Sequence, residues 1–282
     1  MLTTAKQPSE TIVLATSAID LFRKFRRETA QLVRQADVKE NKALKALKVA
    51  WRKYEYQPDM SVAGLDDKNY ENAISAIKGI TYSAKDVALF SVGLSEFADE
   101  EHLSSKAGFF ISALVNNGNE TDYKVFVSHI EEIRGLLKLK ISWLGYRNTK
   151  NLTIEGNIEA CAGDKMQSGQ IIVNGNVRGT GLGNFMEGGR IIVNGNMGTG
   201  VGIKMKNGEI IVNGNACANI GDNMQGGVIR INGDVSTGFL VGSSMKGGEI
   251  HVSGKLDLRG FDLHIISGKV FHNGKLIAGE KE

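Results

Sequence analysis

From residue 151 onward the apolar positions come in short alternating bursts, such as Leu152 and Ile154 or Ile171 and Val173, each closed by a glycine and separated by polar, glycine-rich spacers. Alternation with a period of two is the pattern of a β-strand with one buried face. The bursts recur inside one 13-residue spacing, G-x-x-M-x-x-G-x-[IV]-x-[VI]-x-G, that begins at Gly163, Gly183, Gly202, Gly221 and Gly242. Its methionines, Met166, Met186, Met205, Met224 and Met245, follow at steps of 19 to 21 residues, too short for paired-helix repeats. One such strand cannot bury its apolar face alone, and stacking successive copies in parallel supplies the missing contacts. The pattern predicts a parallel β-helix, expected to be right-handed. Partial copies at Leu152, Ile154 and Gly156 and at Gly268, Val270 and Gly274 extend it to about seven turns.

The closing glycines Gly175, Gly195, Gly214, Gly233 and Gly254 are expected at corners, where glycine admits positive φ. Asn174, Asn194 and Asn213, each opening an Asn-Gly-Asn triplet, place an amide at one corner of three successive turns, in position to form a ladder along the axis. The repeat methionines read as a stacked apolar column, since thioethers fill irregular core gaps.

Before residue 120 the apolar spacing changes to three and four. Ile19, Phe22 and Phe25 with Leu32 and Val33 mark one helical face, and Leu44, Leu47, Trp51 and Tyr54 a second. Tyr70, Ala73, Ile74 and Ile77 mark a third. Ser83, with Asp86 three residues on, reads as the cap of a fourth running through Phe90, Leu94 and Phe97, and Leu103, Ala107, Phe110, Ile111 and Leu114 form a fifth. Alternation returns at Tyr123, Val125 and Val127, followed by a mixed stretch through Ile133, Leu136 and Leu139 that reads as the cap of the first turn. The expected fold class is thus an α+β two-part chain: a helical domain over 1–120, a cap and lead-in over 121–150, and the β-helix over 151–282.

The glycine, methionine and asparagine pattern resembles the β-helical domain known by its GXGXG signature, found at the C-terminal end of the glutamate synthase large subunit and in the C subunit of formylmethanofuran dehydrogenase. The resemblance covers residues 145 to 275 and begins at Leu144-Gly145-Tyr146-Arg147-Asn148-Thr149-Lys150-Asn151, which is similar to the lead-in before the first turn of those proteins. It implies a scaffold between catalytic parts. In that family the chemistry belongs to a cysteine amidotransferase, a flavin and iron–sulfur synthase domain, or metal-bearing subunits. None of those parts is visible here, and no cofactor is expected.

The 282 residues suffice for two folding units, and a hydrophobic content of 41% is that of an ordinary soluble protein. The two cysteines, Cys161 and Cys217, sit at different offsets within their repeats, which argues against a disulfide or a shared metal and for a reducing cytoplasm. The run Ala107 to Val115 is too short to cross a bilayer, and Thr11 to Ile19 lacks the positive charge that precedes a signal-peptide core. Charge is uneven: residues 21–54 hold eleven Lys or Arg against three acids, whereas 151–282 balance at twelve each. Lys42, Lys45, Lys48 and Arg52 line one side of the second helix, either as a solvated face or as a footprint for an acidic partner, an anionic surface or nucleic acid. No nucleic-acid recognition motif accompanies them.

Other candidate chemistry is sparse. Gly179-Thr180-Gly181-Leu182-Gly183 has the glycines of a phosphate loop without the following helix, and His251 and His272 fall on opposite strand faces, against shared ligation with His264. His129 reads as a surface residue of the cap. If Ile171 and Val173 point inward, Ile172, Ile192 and Ile211 stack on the outer face, continued by Arg230, His251 and Phe271. An apolar strip of this kind is expected to be covered, by the N-terminal helices or by a partner or second copy. Two function classes remain. One is a non-catalytic scaffold or assembly subunit, with an accessory role for the basic helix toward an acidic ligand. The other is a β-helix enzyme acting on a polysaccharide, for which the column Gln170, Arg190, Glu209, Val228 and Glu249 supplies only two, separated acids.

Overall fold

Helix α1 (Lys42–Lys53) starts where Asn41 Oδ1 accepts the Leu44 N–H at 2.7 Å, and Arg52 and Lys53 in its last turn complement the helix dipole. Leu44, Leu47, Ala50 and Trp51 are buried along it, as their spacing predicts. Helix α2 (Leu65–Ile77) buries Tyr70, Ala73 and Ile77. Helix α3 (Ala84–Gly93) carries the expected Ser83–Asp86 capping box, and α4 (Leu103–Asn117) is apolar on most sides and enclosed by the rest. Trp51 lies against Phe90, Phe97 and Phe110 at ring separations of 5.9, 5.4 and 5.4 Å, which makes it the centre of the helical core.

The computed structural model describes residues 41–58, 64–128, 140–236, 241–257 and 265–279. The helix expected through Ile19, Phe22, Phe25, Leu32 and Val33, the cap residues Ile133, Leu136 and Leu139, and His129 and His264 lie outside the described residues.

After the helices the chain forms a parallel β-solenoid of about six turns. Its main sheet runs from β1 (Asp122–Phe126) through β2 (Asn151–Glu155), β3 (Gln170–Asn174), β5 (Arg190–Val193), β7 (Glu209–Val212), β8 (Val228–Ile231), β9 (Lys246–Val252) and β10 (Ser267–His272) to β11 (Lys275–Ala278). Strands β4 (Val177–Leu182) and β6 (Met197–Val201) pair on a second face, which isolated bridges at Ile158, Ala216, Val235 and Leu256 extend. Ile171, Ile191, Ile210, Ile229 and Ile250 stack inward with no exposure, as do the five repeat methionines. The described residues form one compact unit.

Each G-x-x-M segment is a four-residue turn. The Met N–H donates to the Gly carbonyl at 3.0–3.2 Å, and the third residue of each turn (Lys165, Phe185, Lys204, Asn223, Ser244) is left-handed with φ of 53–56°. Positive φ therefore falls in these turns, and the closing glycines do not adopt it. They sit at corners for a different reason: a Cβ on Gly195 would lie 2.5 Å from both Gly175 O and Asn176 Oδ1 of the preceding turn. Consecutive turns approach too closely there for any side chain.

The amide ladder forms. Asn194 Nδ2 donates to Asn174 Oδ1 at 2.7 Å, Asn213 to Asn194 and Asn232 to Asn213 at 2.8 Å, and Asn174 to the Glu155 carboxylate at 3.1 Å. A second column joins Asn157, Asn176, Asn196, Asn215 and Asp234, each Oδ1 accepting the N–H of the next member at 2.7–2.8 Å.

The last partial copy is built as far as β10, where Val270 is buried and pairs in parallel with Ile250, but its closing Gly274 is not a corner. At His272-Asn273-Gly274-Lys275 the chain reverses through Asn273 (φ 49°) and Gly274 (φ 75°), and β11 returns antiparallel to β10. Two successive left-handed residues make a hairpin turn, so Gly274 closes a hairpin and not a repeat. At the other end, α3 packs on β1 and Ser91 Oγ accepts the Phe126 N–H at 3.0 Å, covering that strand edge.

Candidate interface surfaces of the solenoid and helices

Strand register decides what each face presents. It aligns Thr153, Ile172, Ile192, Ile211, Arg230, His251 and Phe271 in one outward column, in the order read from the sequence. Ile172, Ile192 and Ile211 are half-buried, because each covers part of its neighbour about 4.8 Å away. On one side lies the amide ladder. On the other lies a charged column in which Glu209 accepts from Arg190 Nε at 2.9 Å and from Arg230 Nε at 3.2 Å, closing the apolar strip after its third turn. His251 meets Glu249 at 2.9 Å and stacks on Phe271 with a ring separation of 4.7 Å. Of helices α1 to α4, the one that packs on this sheet is α3, and it does so at β1. The cover expected from the helices is therefore not supplied by any of these four.

On α1, Lys42, Lys45 and Arg52 are exposed together with Val49 (48%). Lys48 is turned inward to Glu96 at 2.7 Å, with 14% of its side chain exposed, so the basic face is narrower than the spacing suggests.

No metal-ligating set is found among the described residues, where no group of three or more His, Cys, Asp or Glu is placed to hold a metal ion, and the two acids of the charged column are already engaged by Arg190, Arg230 and His251. His272 bonds the Gly254 carbonyl at 2.9 Å, away from His251 and its Glu249. Neither Cys161 nor Cys217 is in a disulfide, and burial pushes the Cys161 thiol well above its usual value. Gly179 to Leu182 lie in β4 and lead into a G-x-x-M turn, not into a helix N-terminus.

One polar cluster has no counterpart in the repeat pattern. At the start of α2, the Tyr146 hydroxyl hydrogen is shared between Asp66 Oδ2 (2.8 Å) and Asp67 Oδ1, and Lys165 Nζ reaches Asp66 at 2.8 Å and Asp67 at 2.9 Å. Arg147 pairs with Asp67 at 2.8 Å and Glu71 at 3.1 Å. Burial raises the Asp66 and Asp67 carboxyls, but hydrogen bonds from Lys165 and Tyr146 outweigh it and hold both below the usual carboxylate range. Beside this cluster Ser112, fully buried on α4, accepts the N–H groups of Gly145 (2.9 Å) and Tyr146 (3.2 Å). Gly108 lets α4 close on the lead-in, since a Cβ there would stand 1.7 Å from Ser142 O.

These contacts join residues as far apart in the chain as Asp66 and Lys165, so no local spacing announces them. The only sequence signals were the paired acids in a helix first turn and the lead-in motif itself. No helix among the described residues is long and apolar enough to cross a membrane. Comparison of the chain with protein-family models, with curated proteins and with solved structures gives no match.

Proposed function

We propose that this chain is a non-catalytic scaffold or assembly subunit whose solenoid presents the outer face of its main sheet to another polypeptide. The observation that carries this reading is the three-turn column Ile172, Ile192 and Ile211, half-buried between a charged edge and an amide ladder, with none of α1 to α4 lying over it. Two further features support it. The sheet ends are blunted, by α3 at β1 and by the short antiparallel β11 at the far end, which favours the lateral face over edge pairing as the contact surface. The resemblance to the GXGXG β-helix points the same way, since that domain links catalytic parts without taking part in their chemistry.

A photo-crosslinking residue at position 192, activated in native lysate, tests the reading, alone and combined with an Ile211→Asp substitution one turn on. Discrete adducts with one polypeptide, lost in the Asp variant while its melting temperature stays within a few degrees of wild type, are expected. Absence of any protein adduct at 192, with wild type monomeric at high concentration, refutes it.

A further inference from the structure

The second residue of the five G-x-x-M turns is Asp164, Asn184, Ile203, Asp222 or Ser243. Asn184, Ile203, Asp222 and Ser243 are half-buried, whereas Asp164 is 6% exposed. What distinguishes the first turn is α2, whose first-turn carboxylates are clamped to Lys165, the residue next to Asp164. Arg147 N–H donates to the Asp164 carbonyl at 3.0 Å, so the lead-in closes the same site from the other side. The carboxyl is poorly provided for. Its Oδ1 accepts a long 3.3 Å bond from the Asn184 N–H, and beyond that only the Asn184 side chain, whose own Oδ1 is buried with no donor, bonds to it. A carboxyl so enclosed, with one long backbone bond and one amide on it, suits the neutral, proton-bearing form better than the carboxylate.

We propose that Asp164 is a proton-controlled latch between α2 and the first solenoid turn. Protonated, it is a neutral hydrogen-bonding group enclosed beneath the start of α2. Ionised, it sets a third carboxylate beside Asp66 and Asp67 and competes for the Lys165 ammonium that holds them, so α2 loosens.

The titration of the site agrees with this geometry. Burial, helped by the negative charge of Asp66, pushes the Asp164 carboxyl up to about 7 against the opposing pull of Asn184 and Lys165. The other groups facing it do not titrate near neutrality: Asp66 and Asp67 are held low, while Cys161, Tyr146, Lys165 and Arg147 are pushed above their ordinary values. The folded-state value is raised above the unfolded one. The contribution of the protonated form is therefore complete below the ordinary Asp range and is lost as pH rises through about 7.

Hydrogen–deuterium exchange of the full chain at pH 6, 7 and 8, corrected for intrinsic rates, reads the latch directly. The opening equilibrium of the Leu65–Ile77 amides should grow about tenfold from pH 6 to pH 8, as one proton linked to opening requires. Amides of β5 and β7 should not follow. Asp164→Asn, which keeps a neutral side chain of the same shape that cannot ionise, should abolish the dependence. Should that variant fail to fold, carboxyl carbon NMR of wild type decides, with a midpoint near neutrality expected for Asp164. The latch is refuted if wild-type α2 exchange shows no pH dependence after correction, if Asp164→Asn retains it, or if the Asp164 midpoint lies in the ordinary carboxylate range.

Discussion

Replacing Gly195 with alanine isolates the reason for the closing glycines. The added Cβ would stand 2.5 Å from Gly175 O and Asn176 Oδ1 and 2.8 Å from Gly175 C, whereas ordinary contact begins at 3.4 Å. Two of these atoms are backbone, so relief requires the third turn to lift from the second by the better part of an ångström. That movement weakens the Gly195 N–H bond to Gly175 O (3.1 Å) and the Asn196 N–H bond to Asn176 Oδ1 (2.7 Å). Overpacking of this kind costs ~1–3 kcal/mol and each weakened bond part of ~0.5–1.5 kcal/mol, for a total of about 2–4 kcal/mol. Gly274→Ala is the control: its φ is 75° but nothing lies within 4 Å, so only left-handed strain of ~1 kcal/mol applies. Urea denaturation followed by far-UV circular dichroism, with both variants beside wild type, measures the difference. If Gly195→Ala loses no more stability than Gly274→Ala, close approach of the turns is not what selects glycine at these corners.

Ser112→Ala should cost about 2–4 kcal/mol in the same assay, because it leaves the Gly145 and Tyr146 N–H groups buried without an acceptor; a loss under ~0.5 kcal/mol refutes the role given to this hydroxyl. For the basic face of α1, a Lys42, Lys45 and Arg52 to glutamate triple variant and wild type can be titrated with poly-L-glutamate. Wild-type binding should fall as salt shortens the screening length from ~10 Å at 0.1 M to ~3 Å at 1 M, and the triple variant should not bind; equal, salt-independent behaviour makes the patch a solvated face.

Much of this architecture is legible in the chain because a solenoid repeats one local solution. Alternation at Ile171-Ile172-Val173 states which side chains face inward, and the constant spacing states which residues of the next turn they meet, so the isoleucine column and the asparagine ladder follow without tertiary information. The helices before it were equally readable from their apolar spacing and from the Ser83–Asp86 cap. What repetition cannot express is where it stops. Gly274 keeps the spacing from Gly268 that Gly254 keeps from Gly248, although His272 replaces the second apolar residue, and the pairing of β11 back onto β10 makes it a hairpin residue.

The same holds for the reasons behind single residues. A glycine tolerates positive φ and also admits a neighbouring backbone, and the letter is the same in both cases; at Gly163 the structure uses the first property and at Gly195 the second. Asp164 and Asp222 occupy equivalent places in their turns, and nothing local separates them. The first turn alone receives α2, through Asp66 and Asp67 on Lys165 and Tyr146, and that contact takes water away from Asp164. Sequence determined the strands, their register and their facing sides, since these depend on neighbours one turn away. Burial at the junction was decided by tertiary structure alone, because it depends on a helix about a hundred residues upstream whose approach leaves no period in the chain.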